Sequence, residues 1–196
     1  MRFITIEREY GSGGTQIARE LGERVHIPCY GEEILTEAAK NMNVSVEQMR
    51  DYEETATGSF LYSIYMLSQS RTANSNMLSN DGKIFVEEQN VIGQFAILGS
   101  SIFLGHCASE ALKESEDVIK VFIHADKASK HRRILEEYGI RESQVVSVEK
   151  KNNKRRANYY RANTGKQWDD FRDYDVVLDS SRLGIQGCVD MLAGLM

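Results

Sequence analysis

Eight residues near the amino terminus, Arg8-Glu9-Tyr10-Gly11-Ser12-Gly13-Gly14-Thr15, have the composition of an anion cradle. Small residues let successive backbone N–H groups converge on a phosphate, and a helix that starts there adds its positive end. The common phosphate-loop pattern is GxxxxGK[ST]. On that spacing Arg8 stands at the first glycine and Gly14 at the lysine, while Thr15 keeps the hydroxyl where a magnesium ligand would sit. The lysine ordinarily bridges the outer phosphates and stabilises developing charge. Arg8, at the other end of the loop, is the candidate to replace it. Tyr10, Gly11, Ser12, Gly13, Gly14, Thr15 and Gln16 form the expected phosphate-binding set, and Glu7 is a candidate for arranging the metal or its waters. Two plainer readings stand beside these: a glycine turn that is only structural, and an ordinary charge at Glu7.

A second concentration of chemistry lies at Lys130–Arg161, which holds ten Lys/Arg and four Asp/Glu, a balance of +6 against −11 for the rest of the chain. Phosphoryl transfer places charge on three oxygens, so catalysis consists mostly of positioning and charge stabilisation by such cations. Arg155, Arg156 and Arg161 are the leading candidates, followed by Arg133 and Arg141. Lys150, Lys154 and Arg161 fall within about 40° of one another on a helix turning roughly 100° per residue. The alternative for any one of them is a solvated helix face. Tyr159 and Tyr160 interleave with the cations in a way that also fits an RNA surface; the acidic remainder of the chain argues against that partner.

These groups need a scaffold. Residues 2–6 read as a short strand, followed by the glycine turn and a helix over 15–24. Further strands are predicted at 25–30, 101–105, 118–124 and 176–179. Helices are predicted at 31–41, 81–98, 127–138, 142–163 and 185–195. Residues 45–80 are helical in propensity but irregular, with an aromatic cluster at Phe60, Tyr62 and Tyr65. Strands alternating with helices predict an α/β fold, a parallel β-sheet flanked by helices.

The segment ITIEREYGSGGTQIARELGERVHIPCYGEEIL resembles the opening of the cytidylate kinase-like family of P-loop proteins, whose members often carry a REYGSGG-type loop. SIFLGHCASEAL, VFIHADKASKHRRI and the stretch from Lys154 to Met191 continue the likeness. The resemblance implies a nucleoside-monophosphate-kinase-like P-loop fold in one domain over 1–196. Its core would be 1–30 and 81–128, a helical acceptor-binding insert 31–80, a basic helical lid 129–165 and a C-terminal core 166–196. It also implies ATP and Mg2+ as cofactors and a small phosphorylated acceptor. Tyr30 and His106 take the acceptor-binding positions, His106 standing where members commonly have arginine, and Gly31 standing where they often have an acidic residue. Ser180, Ser181 and Arg182 follow a strand end near the expected donor base; an N-cap role for this loop is the alternative.

The composition agrees. A chain of 196 residues with 41% hydrophobic and 27% charged residues has room for one well-buried domain. A net charge of −5 argues against a protein that coats nucleic acid. No run approaches the roughly 18 apolar residues of a membrane span. Three dispersed cysteines and no leader-like start point to reduced thiols and a cytoplasmic location. The sequence thus predicts an ATP-dependent phosphotransferase. A nucleotide-binding sensor or regulator with weakened transfer, and a nucleic-acid- or protein-binding module, are the other two classes left open.

Overall fold

Strands covered on both faces must be apolar at alternate and intervening positions alike, and the runs at Phe3–Ile6, Ser101–Leu104 and Val118–His124 largely are. The computed structural model, which describes residues 1–55 and 80–196, pairs them in one five-stranded sheet of order β2-β3-β1-β4-β5 with every pair parallel. The strands are β1 (Phe3–Arg8), β2 (Cys29–Tyr30), β3 (Ser101–Leu104), β4 (Val118–His124) and β5 (Val176–Asp179). The helices described are α1 (Gly14–Val25), α2 (Glu32–Met42), α3 (Val46–Thr55), α4 (Asn80–Ile97), α5 (Ala108–Ala111), α6 (Lys127–Glu136), α7 (Val145–Thr164) and α8 (Ser180–Ala193).

The period of two along each strand divides the core. Ile4, Ile6, Ile102, Leu104, Val121 and Ile123 face one side, against Ile17 and Leu21 of α1 and Val189 and Leu192 of α8. Phe3 and Phe103 face the other, against α2, α3 and α4 through Ile34, Leu35, Met49, Val91 and Ile92. Each fully buried isoleucine contributes about 1.5–3 kcal/mol. Phe122 leads a third cluster with Phe85, Cys107, Tyr160 and Trp168, which seats α7 over the sheet.

The predicted strands at 118–124 and 176–179 match the structure. Three boundaries differ in ways that matter. The first strand continues to Arg8, because Glu7 and Arg8 pair with Phe122 and Ile123 of β4, so both belong to the sheet. The predicted strand at 25–30 shrinks to Cys29–Tyr30, because α1 runs to Val25 and ends on His26 in the left-handed region. The closing helix begins at Ser180, with a break at Gly184 (φ 70°, ψ 172°). The aromatic cluster at Phe60, Tyr62 and Tyr65 lies outside the described residues.

Candidate functional site

β1 delivers Arg8 to the carboxyl edge of the sheet, and its side chain runs between two glycines. A Cβ on Gly14 would stand 2.6 Å from the Cβ of Arg8 and 2.8 Å from its Cγ, while a Cβ on Gly105 would stand 2.5 Å from Nη1. The stem therefore crosses the start of α1, and the guanidinium lies at the end of β3. Positions 8 and 14 are therefore sterically coupled. With Arg8 present, a side chain at position 14 meets its stem.

The glycine turn is held from outside. Gly11 and Gly13 have φ of 82° and 78°, and a Cβ on Gly13 would lie 2.6 Å from Ile185 Cδ1. Arg133 Nη1 donates to the Gly11 carbonyl at 2.6 Å, and the Ser180 hydroxyl donates to the Ser12 carbonyl at 2.6 Å. In a planar trans peptide the carbonyl and the next N–H point in opposite directions, so the bond from Ser180 turns the Gly13 N–H the other way. Arg133 is thus a buried support for the turn. So is Lys130, which bridges Glu9 (3.1 Å) and Glu149 (2.9 Å). Burial opposes the Lys130 charge, and the two carboxylates outweigh it, leaving its pKa above the ordinary value.

Two clefts open beside Arg8. The larger, about 300 Å³, is lined by Thr15, Arg8, Arg19, Arg50, His106 and Arg155 together with Glu32 and Glu33. The smaller, about 90 Å³, is lined by Glu7, Arg8, His106, Arg155, Arg156 and Tyr159, among others. Arg8, His106 and Arg155 border both. Arg156 donates to the Arg8 carbonyl at 2.8 Å and lies 5.6 Å from the centre of the Tyr10 ring. Burial first, then the like charge of Arg8, pull Arg156 down to about 9, and Glu7 partly opposes them. A site that crowds cations in this way favours an incoming anion.

The structure sorts the expected residues by helix face. Arg155 and Arg156 turn inward on α7, whereas Lys150, Lys154 and Arg161 are exposed, as is Arg141. Arg161 is not brought to the cluster. The Tyr10 amide donates to Asn153 Oδ1 at 2.7 Å, and Gln16 is exposed and bonded to Glu20. Ser180 is spent on the glycine turn, and Ser181 donates its backbone N–H to Asp179, the N-cap of α8, at 2.9 Å. Arg182 is exposed. The Tyr30 ring stacks on Phe95 at 4.2 Å and 15°. Glu7 accepts the Trp168 indole N–H at 3.1 Å.

Thr15 supplies an oxygen donor of the kind magnesium takes, and that ion usually keeps several waters and phosphate oxygens. No group of three or more His, Cys, Asp or Glu suited to a metal occurs among the described residues. Thr15 lines the larger cleft, where its hydroxyl could serve such an ion. Glu7 sits among arginines and compensates their charge.

Two cations of the larger cleft were not singled out by the sequence reading. Arg19 stands four residues after Thr15 on α1, a spacing that places both on one helix face. Arg50 had no local signal; tertiary packing alone places it.

Comparison with known proteins is consistent with this geometry. A family model described as the cytidylate kinase-like family matches residues 3–182. A crystal structure of an uncharacterized protein from Eubacterium ventriosum ATCC 27560 aligns with a TM-score of 0.73 at 26% identity, covering 99% of this chain and 97% of that one. The protein TT1252 from Thermus thermophilus aligns with a TM-score of 0.55 at 14% identity, covering 100% and 98%. Shikimate kinase from Bacteroides thetaiotaomicron aligns with a TM-score of 0.52 at 12% identity, covering 99% and 97%. The last two establish the fold alone, a parallel sheet flanked by helices that this chain shares with a shikimate kinase. No curated protein matches the sequence.

Proposed function

Because the chain belongs to the cytidylate kinase-like family, we propose that it is a phosphotransferase that moves the γ-phosphoryl group of ATP to a nucleoside monophosphate or a similar small phosphorylated acceptor. One observation carries this reading. Arg8 reaches from the glycine turn to the end of β3 and borders both clefts beside Arg155 and His106. A cation there lies between a donor on the turn and an acceptor in the larger cleft, where the transferring group must pass.

In this scheme the turn from Tyr10 to Gln16 cradles the donor phosphates with its glycine N–H groups and the start of α1. Magnesium at Thr15 would neutralise phosphate charge. An acceptor phosphate oxygen attacks the γ-phosphorus, the bond to the bridging oxygen breaks, and ADP leaves with the electron pair. Arg8, Arg155 and Arg156 meet the charge that spreads over the equatorial oxygens. Arg19, Arg50 and His106 hold the acceptor's phosphate, and Glu32 and Glu33 accept hydrogen bonds from its other groups. The basic helices of 129–165 act as the lid, in a single domain with a cytosolic location. Among the described residues no helix is long and apolar enough to cross a membrane.

Coupled measurement of ADP release over a panel of nucleoside monophosphates tests this. The expected result is acceptor-dependent ADP formation with one monophosphate preferred. A rise in melting temperature with Mg-ATP but no acceptor-dependent turnover would instead identify a nucleotide-binding regulator. No shift at millimolar Mg-ATP would remove both readings.

A further inference from the structure

Helix α7 meets the start of the glycine turn along one stripe. Glu149, Asn153 and Arg156 recur at intervals of four and three residues, which places them on one face of the helix. They reach three successive residues where β1 runs into the turn. Arg156 Nη1 donates to the Arg8 carbonyl at 2.8 Å, Asn153 Oδ1 accepts the Tyr10 N–H at 2.7 Å, and Glu149 shares Lys130 with the Glu9 carboxylate. The Tyr10 ring is held from the same region, edge-on to Tyr138 at 5.3 Å and with the Arg156 guanidinium 5.6 Å from its centre. Tyr10 is thus gripped by backbone and ring alike.

The Asn153 bond decides where a peptide points. In a planar trans peptide the Glu9 carbonyl lies opposite the Tyr10 N–H. With the N–H on Asn153, that carbonyl faces into the turn, where it accepts the Ser12 N–H at 3.2 Å and the Ser12 hydroxyl at 2.9 Å. The same hydroxyl oxygen accepts the Gly14 N–H at 3.4 Å. One side-chain oxygen on α7 therefore fixes the peptide plane that closes the turn. The carbonyls of Gly11 and Ser12 are held by Arg133 of α6 and Ser180 of α8. Helix α7 is the third to hold the turn, and it also carries Arg155 to the clefts.

We propose that Asn153 is a positioning residue for the nucleotide donor: it sets the first peptide of the phosphate turn, so that docking of α7 and shaping of the donor's cradle are one event. This rests on the phosphotransferase reading above. A turn already shaped leaves the donor no ordering cost, whereas a turn without Asn153 must be ordered as the phosphates bind. Because its N–H goes to α7, the Tyr10 amide lies outside the cradle, and the phosphate-facing N–H groups begin after it. The helix that brings Arg155 to the reacting phosphates thus also readies the turn that receives them.

Two variants separate positioning from packing. Asn153→Leu nearly keeps the side chain's volume and removes the oxygen, while Asn153→Asp keeps an oxygen that accepts from the N–H. Calorimetric titration with Mg-ATP should give a Kd about tenfold higher in Asn153→Leu, the size expected when a donor is left without its acceptor. In Asn153→Asp the Kd should return toward the wild-type value. Amide exchange of Tyr10, read by nitrogen-15 NMR of tyrosine-labelled protein, should be slow in the wild type and in Asn153→Asp and fast in Asn153→Leu. Tyr160, within α7, should stay protected in all three. An unchanged Kd in Asn153→Leu, an equal loss in Asn153→Asp, or a fast-exchanging Tyr10 amide in the wild type would overturn the proposal. Loss of protection at Tyr160 in Asn153→Leu would make Asn153 a support of the whole helix and overturn its specific role. A wild type that does not bind Mg-ATP would overturn the phosphotransferase reading and this proposal together. One that binds Mg-ATP without acceptor-dependent turnover would contradict transfer alone, and the Kd and exchange comparisons would then decide Asn153.

Discussion

A lysine grafted at position 14 would meet the stem of Arg8 before reaching any phosphate, since its Cβ would lie 2.6 Å from that of Arg8. Gly14→Lys alone should cost about 1–3 kcal/mol, the usual range for overpacking a tight site, and lower the melting temperature. The pair Arg8→Gly with Gly14→Lys writes GEYGSGKT, the ordinary phosphate-loop pattern, and removes the clash. Its melting temperature should return toward that of the wild type. A double variant no more stable than Gly14→Lys would show that the two positions are not coupled. Glycine at the lysine position of the pattern was plain in the sequence, because spacing alone exposes it. The coupling was not, because β1 runs two residues beyond its apolar stretch and only its pairing with β4 sets where Arg8 points. Glu88, which tertiary packing buries completely on α4, was invisible for a related reason: between Glu87 and Gln89 it reads as part of a solvated face.

On α7 the faces divide the labour. Arg155→Ala should lower kcat by about 100-fold or more, in line with the loss of a group that stabilises transition-state charge, with a much smaller change in ATP affinity. Arg161→Ala, on the exposed face, should leave kcat within about twofold, as surface substitutions usually do. Equal effects at the two positions would contradict the division. The sequence placed cations on this helix but could not choose the inward face, because α7 lacks a clear apolar stripe and only Val145 and Tyr160 are buried. The loop after β5 makes a parallel point. Ser180→Ala removes a hydroxyl bonded to the Ser12 and His124 carbonyls, so melting should show a loss of about 1 kcal/mol. The short turn at Phe171–Asp173 responds to acid. Hydrogen bonds from Arg172 hold the Asp170 carboxyl down to about 2, below its unfolded value of about 3.9. Its stabilising contribution is present above about pH 4 and lost as pH falls toward 2. Melts at pH 5 and pH 2.5 should show a larger loss for the wild type than for Asp170→Asn.

Across the whole molecule, the contrast between a +6 stretch and a −11 remainder pointed to a small polyanion site. The structure redistributes that charge. Within the basic stretch, Lys130 and Arg133 support the glycine turn, while Arg155 borders the clefts. Arg8, Arg19 and Arg50, which border the larger cleft, come from the acidic remainder. The parallel sheet was legible because buried strands leave apolar runs in the chain, whereas the order of its strands comes from the structure alone. The assembly of the site was not, because its cations come from β1, α1, α3 and α7, elements that meet only in three dimensions. We propose that Arg8 supplies the cation that the ordinary phosphate-loop pattern carries at position 14. The most direct test is kcat for acceptor-dependent ADP formation by the wild type, Arg8→Ala, and the double variant Arg8→Gly with Gly14→Lys. Turnover should fall by about 100-fold or more in Arg8→Ala and largely return in the double variant. Unchanged turnover in Arg8→Ala would contradict the claim.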